Sequence, residues 1–196
     1  MKTLFLDIET IPTPQSLLDG ATQRADASAD ETMIKKMSLS ALTGTILCLA
    51  YAVEPPEGSP VELLCGDEAS ILTQFWNLAA DVNLFVGHNV LDFDLRFIYQ
   101  RSVINQIKPS REIPFSRFRS SPVFDTMHEW TKWGRDFVRL DVLATALNIP
   151  SPKTEMDGSK VYDYYKAGRL DEIHKYCKGD VETVRKVYHF MTFTGM

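Results

Sequence analysis

Features that would assign this chain to a specialised class are scarce in its sequence. No apolar run reaches the roughly 18 residues that a membrane-spanning helix needs, and the chain opens in a strand pattern instead of a basic region followed by an apolar signal segment. The three cysteines, Cys48, Cys65 and Cys177, are far apart and form no CxxC pair, so the sequence indicates neither a disulfide framework nor a zinc ribbon. We therefore expect a soluble, cytoplasmic protein with reduced thiols.

Net positive charge is also missing. With a net charge of −5, the chain does not fit a protein that coats duplex DNA by bulk electrostatic attraction. The segment from Leu95 to Phe124 is basic, in contrast to the acidic chain as a whole. Its only acid is Glu112, and aromatic residues lie between its basic residues. That composition fits either a binding path for single-stranded nucleic acid or a solvated surface loop, and both interpretations stay open. The residues concerned are Arg96, Arg101, Lys108, Arg111, Arg117 and Arg119, with Tyr99, Phe115 and Phe118.

The apolar patterns predict strands early and helices later, which favours a mixed α/β sheet with helices on its faces. At 196 residues and 44% hydrophobic composition the chain can bury one core, so we expect a single domain over residues 1–196. An arm or mobile insertion is expected at about residues 12–38, where large apolar residues are rare. The predicted strands are Lys2–Thr10, Thr45–Val53, Val61–Cys65, Leu84–Val86 and Val123–Asp125. The predicted helices are Glu31–Met37, one capped by Asp67, Val90–Ser102, Thr126–Trp133, Val138–Leu147, Leu170–Cys177 and Asp180–Phe193.

Two carboxylates end the first predicted strand. Side chains alternate along a strand, so Asp7 and Glu9 point to the same side and flank the apolar Ile8. Two neighbouring negative charges repel each other unless a bound divalent cation lies between them. The pattern therefore indicates half of a magnesium or manganese site, although an exposed acidic strand end would show the same residues.

Two further motifs extend this pattern. Asp94 lies early in the predicted helix that follows a Gly-His-Asn turn. Tyr176 precedes Asp180 by one helical turn, which places phenol and carboxylate on one helix face. With its motifs DIET, HNVLDFD and YCKGD, the sequence resembles the DEDD superfamily of 3′-to-5′ exonucleases, in the tyrosine-bearing branch called DEDDy. The histidine branch has its general base one residue before that tyrosine, where this chain has Lys175.

Within that branch, the sequence resembles the proofreading exonuclease domain of family B DNA polymerases and stand-alone bacterial proteins similar to that domain. This resemblance implies a ribonuclease H-like fold with a mixed sheet of about five strands. It also implies a mechanism with two divalent ions, Mg²⁺ or Mn²⁺. Asp7, Glu9 and Asp180 would bind the first ion, Asp7 and Asp94 the second, and Tyr176 would orient the attacking water. The implied activity is 3′-to-5′ hydrolysis of single-stranded DNA, or of frayed 3′ ends, to nucleoside 5′-monophosphates.

The same resemblance suggests contacts to the substrate strand. They are Thr10 to the terminal hydroxyl, Asn89 to a backbone phosphate, Phe93 to a base or sugar, and Ile11 as a wedge against the terminal base. Lys153 or Lys160 could reach a phosphate, but solvated loop lysines are the preferred interpretation.

Four other polar residues near the motifs are interpreted as structural. Asp92 fits the start of a helix, and Asp125 fits a helix cap. His88 is predicted to be a turn residue with a satisfied ring, and His128 a polar residue at the surface.

Three alternatives accompany the exonuclease hypothesis. An exoribonuclease would use the same chemistry, and the sequence places no residue at a 2′-hydroxyl, although the polymerase-like motifs favour DNA. A catalytically silent nucleic-acid-binding module would share the fold, but all four acids and the tyrosine are present. A haloacid dehalogenase-type phosphatase also has an Asp-x-acid strand end and a later Gly-Asp, here Gly179-Asp180, but this pair lies in a helical pattern.

Overall fold

Five strands and seven helices lie entirely within the part of the chain that the structure describes. The computed structural model of the protein describes residues 1–16, 31–150 and 156–194, so the middle of the predicted arm, residues 17–30, and Lys153 lie outside the described residues. The strands are β1 Thr3–Pro12, β2 Gly44–Glu54, β3 Glu62–Cys65, β4 Leu84–Gly87 and β5 Val123–Asp125. The helices are α1 Glu31–Ser38, α2 Glu68–Ala79, α3 Asp94–Ile104, α4 Thr126–Trp130, α5 Leu140–Ala146, α6 Val161–Lys166 and α7 Leu170–Met191.

The five strands form one mixed sheet in the order β3-β2-β1-β4-β5. The first three strands pair antiparallel, while β1 pairs parallel with β4 and β4 with β5. β1 is therefore central, and it is buried along almost its whole length because helices cover both faces of the sheet. The pairing register of β1 and β2 shifts between Glu9 and Thr10, at the end of β1 that carries the acidic motif. The predicted mixed five-stranded α/β sheet is confirmed.

The alternation of side chains along β1 divides the core in two. Leu4, Leu6 and Ile8 belong to the cluster that includes the apolar residues of α2 and α3. Phe5 belongs to the cluster on the other face, which includes the buried residues of α7. By the same alternation, the odd-numbered acidic residues of β1 lie on the α7 side of the sheet. The fold therefore brings the acidic end of the central strand against the C-terminal helix.

A single long helix, α7, replaces the two C-terminal helices that the sequence pattern predicts. It runs through Gly179 without interruption. Glycine is a poor helix former, but buried residues on both sides of it pack against the sheet, and this burial outweighs the local preference. These residues are Ile173, Cys177, Val181 and Val184. Asp180 consequently lies within a continuous helix and not at a helix start.

The start of α3 also differs from the prediction, because the helix begins at Asp94 and not at Val90. The backbone of Asn89 is left-handed, with φ 61°. The N–H groups of Asn89 and Leu91 donate to the carboxylate of Asp125 at 3.0 Å each, which holds this segment as a turn. The helix thus starts at the predicted metal ligand itself.

Smaller differences affect the helices that follow β5. α4 ends at Trp130, because the backbone of Lys132 and Trp133 is left-handed and cannot continue the helix. α5 is shorter than predicted at both ends, and α6 lies where the pattern predicts no helix. Within the described ranges, no helix combines the length and the apolar character needed to cross a membrane.

Candidate active site

Three elements bring the four predicted metal ligands together. β1 supplies Asp7 and Glu9, α3 begins with Asp94, and α7 supplies Asp180. The N–H of Ile8 donates to Oδ1 of Asp94 at 3.0 Å, which fixes the start of α3 against β1 between the two acidic residues. The negative charges of Asp94 and Asp180 act on both Asp7 and Glu9. The four carboxylates therefore form one electrostatically connected cluster.

Two members of the cluster are buried and the other two, Asp7 and Asp180, are half-buried, and no protein cation of the described residues balances their charge. Glu9 is 7% exposed and Asp94 is 3% exposed. Burial is the main cause that raises the pKa values of Asp7 and Glu9 well above the usual range, and repulsion from neighbouring carboxylates adds to it. Burial also raises the pKa of Asp94 to about 7 and that of Asp180 to about 6. Within residues 1–16, 31–150 and 156–194, no lysine or arginine forms an ion pair with any of the four.

These residues fit a divalent metal site. The carboxylate oxygens of Asp7 and Glu9 and Sγ of Cys177 all lie within 4.8 Å of one another. Carboxylate oxygens are the donors that Mg²⁺ and Mn²⁺ prefer. A bound divalent cation would also offset the repulsion that raises the carboxylate pKa values. The donor set therefore agrees with the predicted metal site, while the identity of the ion stays a prediction.

Tyr176 lies beside the cluster, one turn before Asp180 on α7. Burial first, and then the charges of Asp180, Glu9 and Asp7, raise the pKa of its phenol above the usual value. The neighbouring phenol of Tyr176 acts on Asp180 in the opposite direction and lowers the pKa of that carboxyl. The phenol is therefore protonated at neutral pH and acts as a hydrogen-bonding group. Lys175, which stands where the histidine branch has its base, is exposed.

Cys177 is a member of the site that the sequence analysis missed. Its thiol lies 3.5 Å from Oδ2 of Asp7, and burial raises its pKa well above the usual value. The side chain is fully buried, as is that of Cys48, the β2 residue paired with Glu9. The available signal was the position of Cys177 next to Tyr176, on a helix whose sheet-facing side also carries Asp180.

A cleft of about 1180 Å³ opens beside the cluster. Tyr176 and Asp180 line it from α7. Lys35, Phe137 and Arg139 line it from other elements, so the cleft combines acidic, basic and aromatic groups. It is large enough to admit a nucleotide-sized ligand.

The predicted substrate contacts lie near the acidic end of β1 or the start of α3. The hydroxyl of Thr10 donates to the carbonyl of Ser38 at 2.8 Å. Ile11 is 6% exposed, which leaves almost no surface of its side chain for a base to contact. Asn89 occupies the turn before α3, and Phe93 is the half-buried residue that precedes Asp94. The roles of these four residues stay predictions.

The interpretation of the neighbouring polar residues is partly wrong. The ring of His88 is satisfied as predicted, with Nδ1 2.9 Å from the Thr126 hydroxyl and Nε2 2.8 Å from the Val138 carbonyl. Asp125 caps α4 as predicted, by accepting from the N–H groups of that helix.

Asp92 and His128 differ from the prediction. Asp92 does not cap α3, because its carboxylate pairs with Arg96, Arg117 and His128. His128 is not a surface residue, because it is 5% exposed and its ring stacks on Trp133 at 4.7 Å. Asp92 is half-buried and His128 is buried. Together with Arg96 and Arg117 they form one polar network.

The basic segment from Leu95 to Phe124 divides into structural and exposed residues. Arg101 is buried and pairs with Glu68 at 2.6 Å. Arg111 donates to the carbonyl of Val82 and lies over the ring of Phe85. Both arginines therefore make structural contacts with the core, and the remaining basic residues of the segment are exposed.

Comparisons with known proteins agree with this geometry. A family described as predicted 3′-5′ exonuclease related to the exonuclease domain of PolB matches residues 60–196. Among solved structures, the family B DNA polymerase from the hyperthermophilic archaeon Pyrobaculum calidifontis is similar with a TM-score of 0.67 at 15% sequence identity. No curated protein sequence matches the chain.

The structural match covers 94% of this chain and 23% of the polymerase chain, so this chain spans less than a quarter of that protein's length. At this level of identity the similarity establishes the fold. Together with the strand order, it confirms the ribonuclease H-like fold that the motifs predict. The family match begins after β2, whereas the structural match extends over nearly the whole chain.

Proposed function

Because the chain belongs to the family of predicted 3′-5′ exonucleases related to the exonuclease domain of PolB, we propose that residues 1–196 form one exonuclease domain. Its substrate is single-stranded DNA or a frayed 3′ end, and its product is a nucleoside 5′-monophosphate. The observation that carries this proposal is a cluster of four carboxylates from three elements beside a tyrosine, two of them buried and two half-buried, with no protein cation paired to them in the described residues. Such a cluster is stable near neutral pH when divalent cations neutralise it.

Four carboxylates of this chain would hold the ions. Asp7, Glu9 and Asp180 would bind one, and Asp7 together with Asp94 a second. When bound, Mg²⁺ or Mn²⁺ activates water and stabilises the charge that develops on the leaving 3′ oxygen. The hydrogen bond from Ile8 holds the Asp94 carboxylate in place beside β1.

Tyr176 has the role of orienting the water. Its hydroxyl lies one helical turn from Asp180, and the phenol oxygen can accept a hydrogen bond from the attacking water. The water oxygen forms a bond to phosphorus and gives up a proton to the solvent. The bond from phosphorus to the 3′ oxygen of the preceding nucleotide breaks, that oxygen takes up a proton from the solvent, and the terminal nucleotide leaves with its 5′-phosphate. Because the pKa of Tyr176 is raised, the phenol does not supply a base at neutral pH.

A cleavage time course tests the proposal. Matched single-stranded DNA and RNA labelled at the 5′ end are incubated with Mg²⁺, Mn²⁺ or EDTA and with wild type or Asp180→Asn. Asp171→Asn is the control, because Asp171 is an exposed acid on the same helix. We expect a ladder that shortens from the 3′ end, requires the metal and persists in the control but not in Asp180→Asn.

Other outcomes identify the alternatives. Faster shortening of RNA than of DNA indicates an exoribonuclease. Release of inorganic phosphate through a trapped aspartyl intermediate indicates the phosphatase hypothesis, which the position of Asp180 inside a continuous helix already disfavours. Binding of either strand without cleavage in any metal contradicts the proposed activity and supports a silent binding module.

A further inference from the structure

Two exposed loops next to the candidate active site carry an aromatic and basic surface that the proposed chemistry does not use. We call it the aromatic-basic patch, and it consists of Phe118, Arg119, Trp133, Arg135 and Phe137. Phe118 is 75% exposed and Phe137 is 71% exposed, which is unusual for large apolar side chains. Exposed aromatic residues that cluster in this way mark an interaction surface more often than scattered ones do.

The aromatic side chains are held by contacts beneath them. The ring of Trp133 stacks on the buried ring of His128, with centroids 4.7 Å apart and planes 3° apart. Phe118 contacts Trp133 at 5.4 Å, and Phe137 contacts the edge of His128 at 6.2 Å. Each aromatic ring of the patch therefore has a packing partner, and ordering of these rings before binding lowers the entropy cost of binding a flat ligand.

The backbone of the patch is strained. Phe118 and Trp133 have left-handed backbones, with φ 63° and 64°. Large side chains adopt this conformation rarely and at an energetic cost. The loops thus keep two aromatic residues where glycine or asparagine would be favourable, and this points to a role for the rings themselves.

The charge of the patch favours an anionic ligand. Arg119 and Arg135 are exposed, and no carboxylate of the described ranges pairs with either of them. The chain as a whole is acidic, since its net charge is −5. Free guanidinium groups beside aromatic rings match the phosphates and bases of a single-stranded nucleic acid.

The patch is continuous with the catalytic cleft. Phe137 lines the same cleft as Tyr176 and Asp180. From the other side, His128 under the patch binds Asp92, two residues before the proposed metal ligand Asp94. A strand whose 3′ end lies at the carboxylates can therefore extend over the patch without leaving the protein surface.

We propose that the aromatic-basic patch binds the part of a single-stranded nucleic acid that lies upstream of the nucleotide being removed. Bases stack on Phe118, Trp133 and Phe137, and phosphates contact Arg119 and Arg135. This inference rests on the proposed function, and it adds that affinity increases with the length of the strand. Short oligonucleotides occupy the catalytic cleft alone, whereas longer ones also reach the patch.

Length-dependent binding and cleavage test the patch. Fluorescence anisotropy in EDTA, where no turnover is expected, gives the affinity for oligo-dT of about 4 and about 16 nucleotides. The same oligonucleotides in Mg²⁺ give kcat/KM. The variants are Phe118→Ala with Phe137→Ala, and Arg119→Ala with Arg135→Ala. Trp133 is kept, because its ring covers His128.

Matched controls exist elsewhere on the chain. Phe193 is 78% exposed just beyond the end of α7, and Lys186 is an exposed cation near the same end of that helix. Phe193→Ala and Lys186→Ala should leave the binding of both oligonucleotides unaffected. The thermal midpoint of every variant is measured to show that each protein is folded.

We expect each patch variant to bind the longer strand about 10-fold more weakly, and the shorter strand less than about 2-fold more weakly. The arginine pair should also reduce the slope of log affinity against log salt concentration by about 0.7 for each phosphate that the variant no longer binds. The phenylalanine pair should leave that slope unchanged.

The inference and the proposed function fail separately. Patch variants that behave like the controls at both lengths, or that weaken the binding of both lengths equally, overturn the inference even if the wild type produces a ladder. If the wild type binds the longer strand but cleaves neither length, the proposed function fails, and the anisotropy results alone decide the role of the patch. A wild type that binds neither length overturns the inference.

Discussion

The backbone N–H of Ile8 donates a hydrogen bond of 3.0 Å to Oδ1 of Asp94, and this bond joins the first and second sequence motifs inside the protein. Ile8 packs into the core on one side of β1, while the acids on either side of it lie towards α7. Asp94 therefore has a structural contact in addition to its proposed role as a metal ligand, and substitutions can separate the two.

Asp94→Asn and Asp94→Ala should lose activity equally but differ in stability. Both remove the negative charge, so we expect exonuclease activity to fall by at least about 100-fold in each. Asparagine retains an oxygen that accepts from Ile8, whereas alanine leaves this buried N–H without a partner, at a cost of about 1–3 kcal/mol. Urea unfolding measures the difference. Equal stability of the two variants would contradict a structural role for this hydrogen bond.

The metal-free protein should lose stability as the pH rises from about 4 to about 7. The pKa of Asp94 is raised to about 7 and that of Asp180 to about 6, both above the values of an unfolded chain. The folded state therefore binds protons more tightly than the unfolded state, and this contribution to stability is complete below the unfolded pKa and lost above the folded pKa. Thermal midpoints in EDTA between pH 5 and pH 8 measure the effect.

Added Mg²⁺ should raise the midpoint more at pH 8 than at pH 5, because ionised carboxylates bind the ion and protonated ones do not. Asp94→Asn should raise the midpoint of the metal-free protein at pH 8, since it removes one of the repelling charges. A midpoint in EDTA that is independent of pH and equal in wild type and Asp94→Asn would show that the carboxylate cluster is not under electrostatic stress.

Tyr176→Phe should lower activity by about 10- to 100-fold without unfolding the protein. The substitution removes the hydroxyl that we propose orients the water, and with it the effect of that hydroxyl in lowering the pKa of Asp180. The acidic limb of the pH-rate profile should therefore move to higher pH in the variant. Tyr188→Phe is the control, because Tyr188 is a half-buried tyrosine on the same helix outside the cleft. Activity equal to that of wild type would exclude an orienting role for the phenol.

The parts of the site that could be predicted from the sequence are those that depend on local geometry. Alternation along one strand brings Asp7 and Glu9 to the same side, and one helical turn brings Tyr176 close to Asp180. Both relationships follow from the geometry of one strand or one helix and do not depend on how the other elements pack. The positions of the strands along the chain also followed from local patterns, because each buried strand is a largely apolar run.

Contacts between distant segments could not be predicted in this way. Cys177 lies against Asp7, which is 170 residues away in the sequence, and His128 is buried under Trp133 although its own segment is polar. The continuity of α7 through Gly179 likewise depends on packing against the sheet. In each case the burial of the residue or the continuity of the helix depends on the surface packed against it. A single sequence does not show which surface that is.

Arg101 illustrates the same limit and leads to a prediction about stability. Composition placed it in a possible nucleic-acid-binding path, but its side chain is 9% exposed and binds Glu68 through Nε at 2.9 Å and Nη2 at 2.6 Å. Burial would raise the pKa of Glu68, yet the hydrogen bonds from Arg101, Ile46 and Asn105 outweigh it and lower the pKa overall. The carboxylate is therefore ionised, and it depends on the arginine.

Arg101→Ala should destabilise the protein by about 3–5 kcal/mol, because it leaves Glu68 as a buried charge without its partner. Arg101→Lys should recover only part of this loss, since an ammonium group cannot reproduce the two parallel hydrogen bonds. Arg117→Ala is the control, because the Arg117 side chain is 61% exposed and its pair with Asp92 should contribute at most about 1 kcal/mol. Urea unfolding gives both values. If Arg101→Ala were as stable as wild type but bound oligonucleotides more weakly, Arg101 would belong to the binding surface and not to the core.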